Sequence, residues 1–103
     1  MGSTKFDLGI LVLAGEVTRR CDNKDFDKFV NNSVRRYSQC DWGDISDKHK
    51  ILNNHAIKYN DEMVSAIYKY DDSAAIWIYT DKDKLCTTVI FLGNYLSLFR
   101  RCS

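Results

Sequence analysis

The chain has no proline, so its turns fall to glycine, asparagine and aspartate. Its four cysteines, Cys21, Cys40, Cys86 and Cys102, form no C-x-x-C pair and sit at no zinc-finger spacing with the two histidines. They read as reduced thiols. No G-x-x-x-x-G-K-[ST] and no G-x-G-x-x-G occurs, which removes the usual phosphate-cradling loops. The isolated Gly9 and Gly15 point instead to a bulge or close packing. The apolar run from Leu8 to Ala14 is too short to cross a bilayer and lacks the long apolar stretch of a signal peptide. Phe6 stands where a myristoylation signal needs serine or threonine. The chain is therefore expected to be cytoplasmic. Charge of one sign is also missing: the net charge is +1, with both signs interspersed. That argues against a strongly basic nucleic-acid binder and equally against an acidic DNA mimic.

What the chain does have is a foldable composition. At 103 residues, 45% hydrophobic and 13% aromatic, it is long enough to bury a core as one domain over 1–103, without disulfides or metal. Residues 6–17 are rich in Leu, Ile and Val and read as a buried strand. Asp22 or Asn23 is placed to cap a helix over 24–38, whose Phe26, Phe29, Val30, Val34 and Tyr37 make one apolar stripe. Ser46 caps a second helix running to Tyr59, with Asp47 in its first turn and an expected inner face of Ile51, Leu52, His55, Ala56 and Tyr59. The period then changes. Residues 63–70, 75–80 and 86–92 read as three strands joined by the polar turns at Asp71-Asp72-Ser73 and 81–84. Tyr95 to Phe99 is expected to form a short docked helix or extension. The fold class expected is α+β, in the order β-α-α-β-β-β: an antiparallel sheet with both helices packed on one face.

Candidate chemistry is sparse. His49 and His55 lie six residues apart on one helix and point to different faces, His55 inward and His49 toward solvent. No serine or cysteine stands in a nucleophile elbow. The junction Cys40-Asp41-Trp42-Gly43-Asp44 holds two carboxylates around a tryptophan. Asp41 and Asp44, with His49, have the chemistry of a small metal-dependent hydrolase. The structural reading is stronger: Asp41 caps the turn or pairs with Arg35 or Arg36, Asp44 accepts from the start of the second helix, and Trp42 wedges helices against sheet. The basic pairs Arg19-Arg20, Arg35-Arg36 and Arg100-Arg101 read as a solvated face, as a protein-binding rim, or as a nucleic-acid surface if they converge. On the middle strand, Trp77 and Tyr79 share one face and Ile76 and Ile78 the other. An aromatic face left open would be an interface.

Taken together, Asp41-Trp42-Gly43-Asp44, Asn53 with Ala56, Ser65-Ala66, Ile76-Trp77-Ile78-Tyr79-Thr80, Thr87-Thr88-Val89 and Tyr95 resemble one family of small proteins of Gram-positive bacteria. That family is carried on plasmids, conjugative elements and phages. Its members are often labelled "plasmid-related protein" or "type I restriction endonuclease subunit M". The resemblance covers residues 8–95 and leaves 96–103 as a C-terminal extension. The chain departs from the pattern at Cys40, where glycine is common, and at His49, where an acid is common. The methyltransferase part of the label does not fit, because its Asn-Pro-Pro-aromatic motif needs proline and its cofactor domain needs about twice this length. No cofactor or metal is expected. The setting implied by the resemblance is a mobile element facing host defence. The expected function is a non-enzymatic, protein-binding inhibitor of a host defence system, of anti-CRISPR or anti-restriction type. Its partner would be a nuclease or CRISPR effector complex. The contact residues expected are Trp42, Asp44, Trp77 and Tyr79, with Arg35 and Arg36 on the rim. The alternative is a nucleic-acid-binding accessory protein of plasmid maintenance or transfer. A homodimer through an exposed sheet edge is left open.

Overall fold

The computed structural model describes residues 5–93. Three helices and a four-stranded sheet follow one another as β1 (Ile10–Leu13), α1 (Gly15–Arg20), α2 (Lys24–Ser38), α3 (Asp47–Tyr59), β2 (Val64–Asp71), β3 (Ala74–Thr80) and β4 (Cys86–Phe91). The α+β class expected from the sequence is the class observed. The anticipated segment at Tyr95–Phe99 lies outside the described residues.

The sheet is mixed, not antiparallel throughout. Its order is β1-β4-β3-β2, with β1 parallel to β4 and the other two pairs antiparallel. Short turns force β2, β3 and β4 into a meander. Three helices separate β1 from that meander, so no hairpin constrains its direction, and it adds beside β4 in parallel. The first strand is also shorter than its apolar content suggests. Gly15 opens α1, with Glu16 in its first turn and Arg19 and Arg20 in its last, so each charge complements the helix dipole. Val17, on this helix, is fully buried. Gly9 has a left-handed backbone (φ +64), and a Cβ there would collide with the Leu85 carbonyl. This glycine therefore marks the close approach of β1 to the start of β4.

Helix α2 begins where Asn23 accepts the Phe26 N–H (3.0 Å). It ends where the Asp41 N–H reaches back to the Arg36 carbonyl (2.9 Å) and the Cys40 N–H to that of Tyr37 (3.0 Å). These two bonds make a Schellman ending, which wants a left-handed residue at Cys40; its φ is +62. Phe26, Val30 and Tyr37 are buried against the sheet, with Phe29 and Val34 half-buried beside them. They meet Val64, Ala66, Tyr68, Ile76, Ile78 and Val89 from alternate positions of the strands. One polar chain crosses this core. The Tyr37 hydroxyl bonds the Val64 carbonyl (3.1 Å) and Thr80 Oγ1 (2.8 Å), Thr80 meets Thr87 (2.7 Å), and Thr87 donates to the Leu8 carbonyl (2.6 Å). Every member is partnered, so the chain ties α2, both central strands and the segment before β1 into one register. Burial pushes the Tyr37 phenol well above its ordinary pKa.

Helix α3 corrects the expectation most sharply. Ser46 caps it as read, accepting the His49 N–H (3.1 Å), and Asn60 ends it in a left-handed turn (φ +52). Its buried residues are Asn53 and Ala56. Ile51 (67% exposed), Leu52 (59%) and Tyr59 (56%) point outward. His55 is exposed as well. The helix lies along β2, an edge strand whose outer backbone groups need polar partners, so Asn53 is turned inward beside Ala56 and the half-buried Ile57, and Ile51, Leu52 and Tyr59 are turned out. The two helices α2 and α3 therefore do not present equivalent apolar faces to the sheet.

Candidate functional site

The 41–44 junction is built into the β2 edge. The Asp44 N–H donates to the Ile67 carbonyl (2.7 Å), and Gly43 forms a parallel bridge with Ile67. One Asp44 carboxylate oxygen accepts the Lys69 N–H (3.0 Å). Two residues before Ile67 on the same strand, Asn53 donates to the Ser65 carbonyl (2.7 Å) and accepts its N–H (3.4 Å). A side-chain amide and a carboxylate thus complete the strand ladder in place of another strand. Gly43 is required for the approach: at φ +69, a Cβ would strike the Ile67 carbonyl and come within 2.7 Å of the Tyr68 ring.

This accounts for most of the residues singled out in the motif. Trp42 is 3% exposed. Its ring meets Tyr37 and Phe6 at centroid distances of 5.5 and 5.9 Å, and its Nε1 donates to Asn54 (2.9 Å). It is a wedge in the core, and a surface contact through its face is closed off. Asp44 serves β2, not the start of α3. Asp41 takes a bidentate pair of bonds from Arg36 (2.8 and 3.1 Å), whose guanidinium also lies 5.1 Å over the Tyr68 ring. That guanidinium holds the Asp41 carboxyl below the usual carboxylate range. Tyr68 in turn donates to the Asp41 carbonyl (2.6 Å), and burial raises its own phenol pKa. Arg36 is thus engaged by Asp41 and Tyr68, whereas both it and Arg35 remain exposed.

Trp77 and Tyr79 are brought together: their rings stack at 4.3 Å, inclined by 27°. They stand on the sheet face opposite the core, half-buried, above Ile67, Thr88 and Ile90 in the paired positions. The exposed apolar side chains of α3 make a second surface. Ile51, His55 and Tyr59 follow one another at four-residue intervals with Leu52 beside them, a single stripe on the helix. His55 and Tyr59 rings meet at 4.5 Å. Leu52, His55 and Met63, with His49, Asn53, Ala56, Asp61 and Glu62, also line a cleft of about 260 Å³ along the inner margin of this stripe.

A serine–histidine contact escaped the sequence reading. Ser65 Oγ lies 3.2 Å from His49 Nε2. The two are sixteen residues apart on different elements, so no spacing rule could have paired them. Ser65 is 6% exposed, with its hydroxyl held against His49. Its backbone is engaged by Asn53, and the contact reads as one more tie between α3 and β2. Burial raises the Cys21 and Cys40 thiol pKa values, which disfavours the thiolate at both. Among the described residues no three His, Cys, Asp or Glu side chains converge on a common point, and Asp41, Asp44 and His49 are each occupied separately. No described helix is long and apolar enough to cross a membrane. Compared with protein-family models, curated proteins and solved structures, the chain matches none.

Proposed function

We propose that the protein is a non-enzymatic, protein-binding inhibitor of a host defence system, of the anti-CRISPR or anti-restriction kind. The observation that supports binding is the outward apolar stripe of α3: Ile51, Leu52 and Tyr59, continued by the 42%-exposed Met63. A helix that turns its larger apolar side chains to solvent is shaped for a groove on a partner. Lys48 and Lys58 give the stripe a polar rim, as interfaces commonly have. The stacked Trp77 and Tyr79 supply a second aromatic anchor. The choice of a defence nuclease as partner rests on the resemblance of the 41–44 and strand motifs to proteins of mobile elements.

The test is capture of partners from a host lysate with the tagged chain, with and without nuclease treatment, followed by a cleavage assay on the purified partner. A stoichiometric complex with a nuclease or effector, stable to nuclease treatment and blocking cleavage, is the expected outcome. Leu52→Asp should weaken that complex by more than about 2 kcal/mol while leaving folding intact, since Leu52 covers no core. Recovery only through nucleic acid would replace this reading with that of a nucleic-acid-binding accessory protein.

A further inference from the structure

The free edge of β1 carries the strongest unassigned surface. The Ile10 N–H bonds the Leu85 carbonyl (3.0 Å) and the Ala14 N–H the Val89 carbonyl (2.9 Å). Even-numbered residues therefore direct their N–H groups at β4, and the backbone groups of Leu11 and Leu13 face away from it. β1 is the end of the sheet, and among the described residues no strand pairs with it on that side. The strand is Ile-Leu-Val-Leu, without charge, proline or bulge. Ile10 is 72% exposed, Leu11 46%, Val12 42% and the neighbouring Leu85 69%. Isolated edge strands are normally protected by lysine, proline or a covering segment, and this one shows none of the first two.

We infer that β1 pairs with β1 of a second copy of this chain, antiparallel about a two-fold axis at Val12. Two like strands meeting antiparallel are self-complementary, which is what a two-fold interface requires. The register follows from which groups face outward. Leu11 stands opposite the partner's Leu13, so their outward N–H and C=O groups exchange bonds on both sides of the axis. Val12 lies against the partner's Val12. The neighbouring in-phase registers would bring the partner's Gly9 opposite Leu13 or its Gly15 opposite Leu11; Gly9 has a φ of +64 and Gly15 opens α1, so neither is extended backbone.

Area sets the strength. The edge of a four-residue strand covers much less than the roughly 800 Å² per partner of a stable interface. The dimer is therefore weak and concentration-dependent. It also stops at two, because the opposite edge, β2, is already closed by Asn53, Gly43 and Asp44.

Sedimentation velocity on the full chain, from about 5 μM to about 1 mM, tests this over the range in which a weak dimer forms. A monomer–dimer equilibrium is expected. A monomer at every concentration, or an open-ended polymer, overturns the inference. Because Val12 meets its own counterpart, Val12→Lys and Val12→Glu should each weaken the dimer at least about tenfold through like charges placed opposite one another. Mixing the two should restore it. Failure of the mixture to associate, with the wild type dimeric, puts the interface elsewhere and overturns the proposal. Amide exchange of the wild-type chain reads the same surface without substitution. Slowing at Leu11 and Leu13 on concentration supports it. Rates that do not change, or that are already slow in the dilute monomer because residues 94–103 lie along the edge, overturn it.

Discussion

The two outer strands of the sheet handle the same problem differently. Each presents a row of backbone groups that the sheet itself leaves unpaired. Along β2 those groups meet the Asn53 amide, the Asp44 carboxylate and the Gly43–Asp44 backbone, all delivered by the junction after α2 and by α3. Along β1 the outward groups at Leu11 and Leu13 face no described strand, and the side chains around them are apolar. The sealed edge spends two residue types that sequence patterning reads as surface, Asn and Asp, on a structural task. The open edge exposes residue types that patterning reads as core. Local hydrophobicity alone therefore assigns both edges the wrong way round.

The contrast can be broken most forcefully at Gly43. Gly43→Ala would add a Cβ against the Ile67 carbonyl and the Tyr68 ring in a left-handed backbone. The expected loss is about 3 kcal/mol from strain and overpacking together, measured by urea denaturation. A loss under about 1 kcal/mol would mean that the junction does not hold the β2 edge closed. Asn53→Leu keeps the bulk but removes both bonds to Ser65, leaving a buried N–H and C=O without partners. It should cost about 2 kcal/mol, and the Ser65 amide should lose its exchange protection; a neutral result would show that water or a shifted α3 replaces the amide.

A smaller effect separates the charged part of the junction. Arg36 depresses the Asp41 pKa, so the folded state favours the ionised carboxyl. The resulting stability is fully present above the unfolded aspartate pKa of about 3.9 and is lost as pH falls through the lowered folded value. Both side chains are about half exposed (49% and 52%), so the contribution is below about 1 kcal/mol. In acid titrations of stability, Asp41→Asn should flatten only this low-pH limb; an unchanged limb would assign it to other carboxylates. At the bare edge the expectation is smallest. Val12→Lys in dilute protein should change monomer stability by no more than about 0.5 kcal/mol, since no partner contact is lost there. A larger loss by thermal or chemical melting would show that Val12 supports the monomer core.

Much of the fold was legible. Asn23 and Ser46 mark the starts of α2 and α3, because an unpaired helix N–H needs an acceptor whatever the tertiary context. Strands β2, β3 and β4 follow from runs of β-forming residues bounded by Asp-rich turns. The stripe of Phe26, Val30 and Tyr37 names the face that α2 buries. Of the face expected for α3, Ala56 is buried but Ile51, Leu52, His55 and Tyr59 are exposed, although the five make as good an apolar stripe on paper as that of α2. What reverses it is the demand of the β2 edge for polar partners. Of the expected contact residues, Trp77 and Tyr79 are brought together on one face, Arg35 is at the surface, Arg36 and Asp44 are exposed but hold Asp41 and the β2 edge, and Trp42 is buried. Cys40 takes the left-handed backbone (φ +62) that a helix ending of this kind usually gives to glycine, which no local pattern in the sequence announces.

The elements are local: helix caps, turn chemistry and the change from helical to strand period are settled by nearby sterics and hydrogen bonding. The parallel pairing of β1, the inward turn of Asn53 and the difference between the two edges arise once the sheet is assembled. Each of these depends on which backbone groups the completed sheet leaves unpaired, and that is a property of the assembled strands, which no single segment contains.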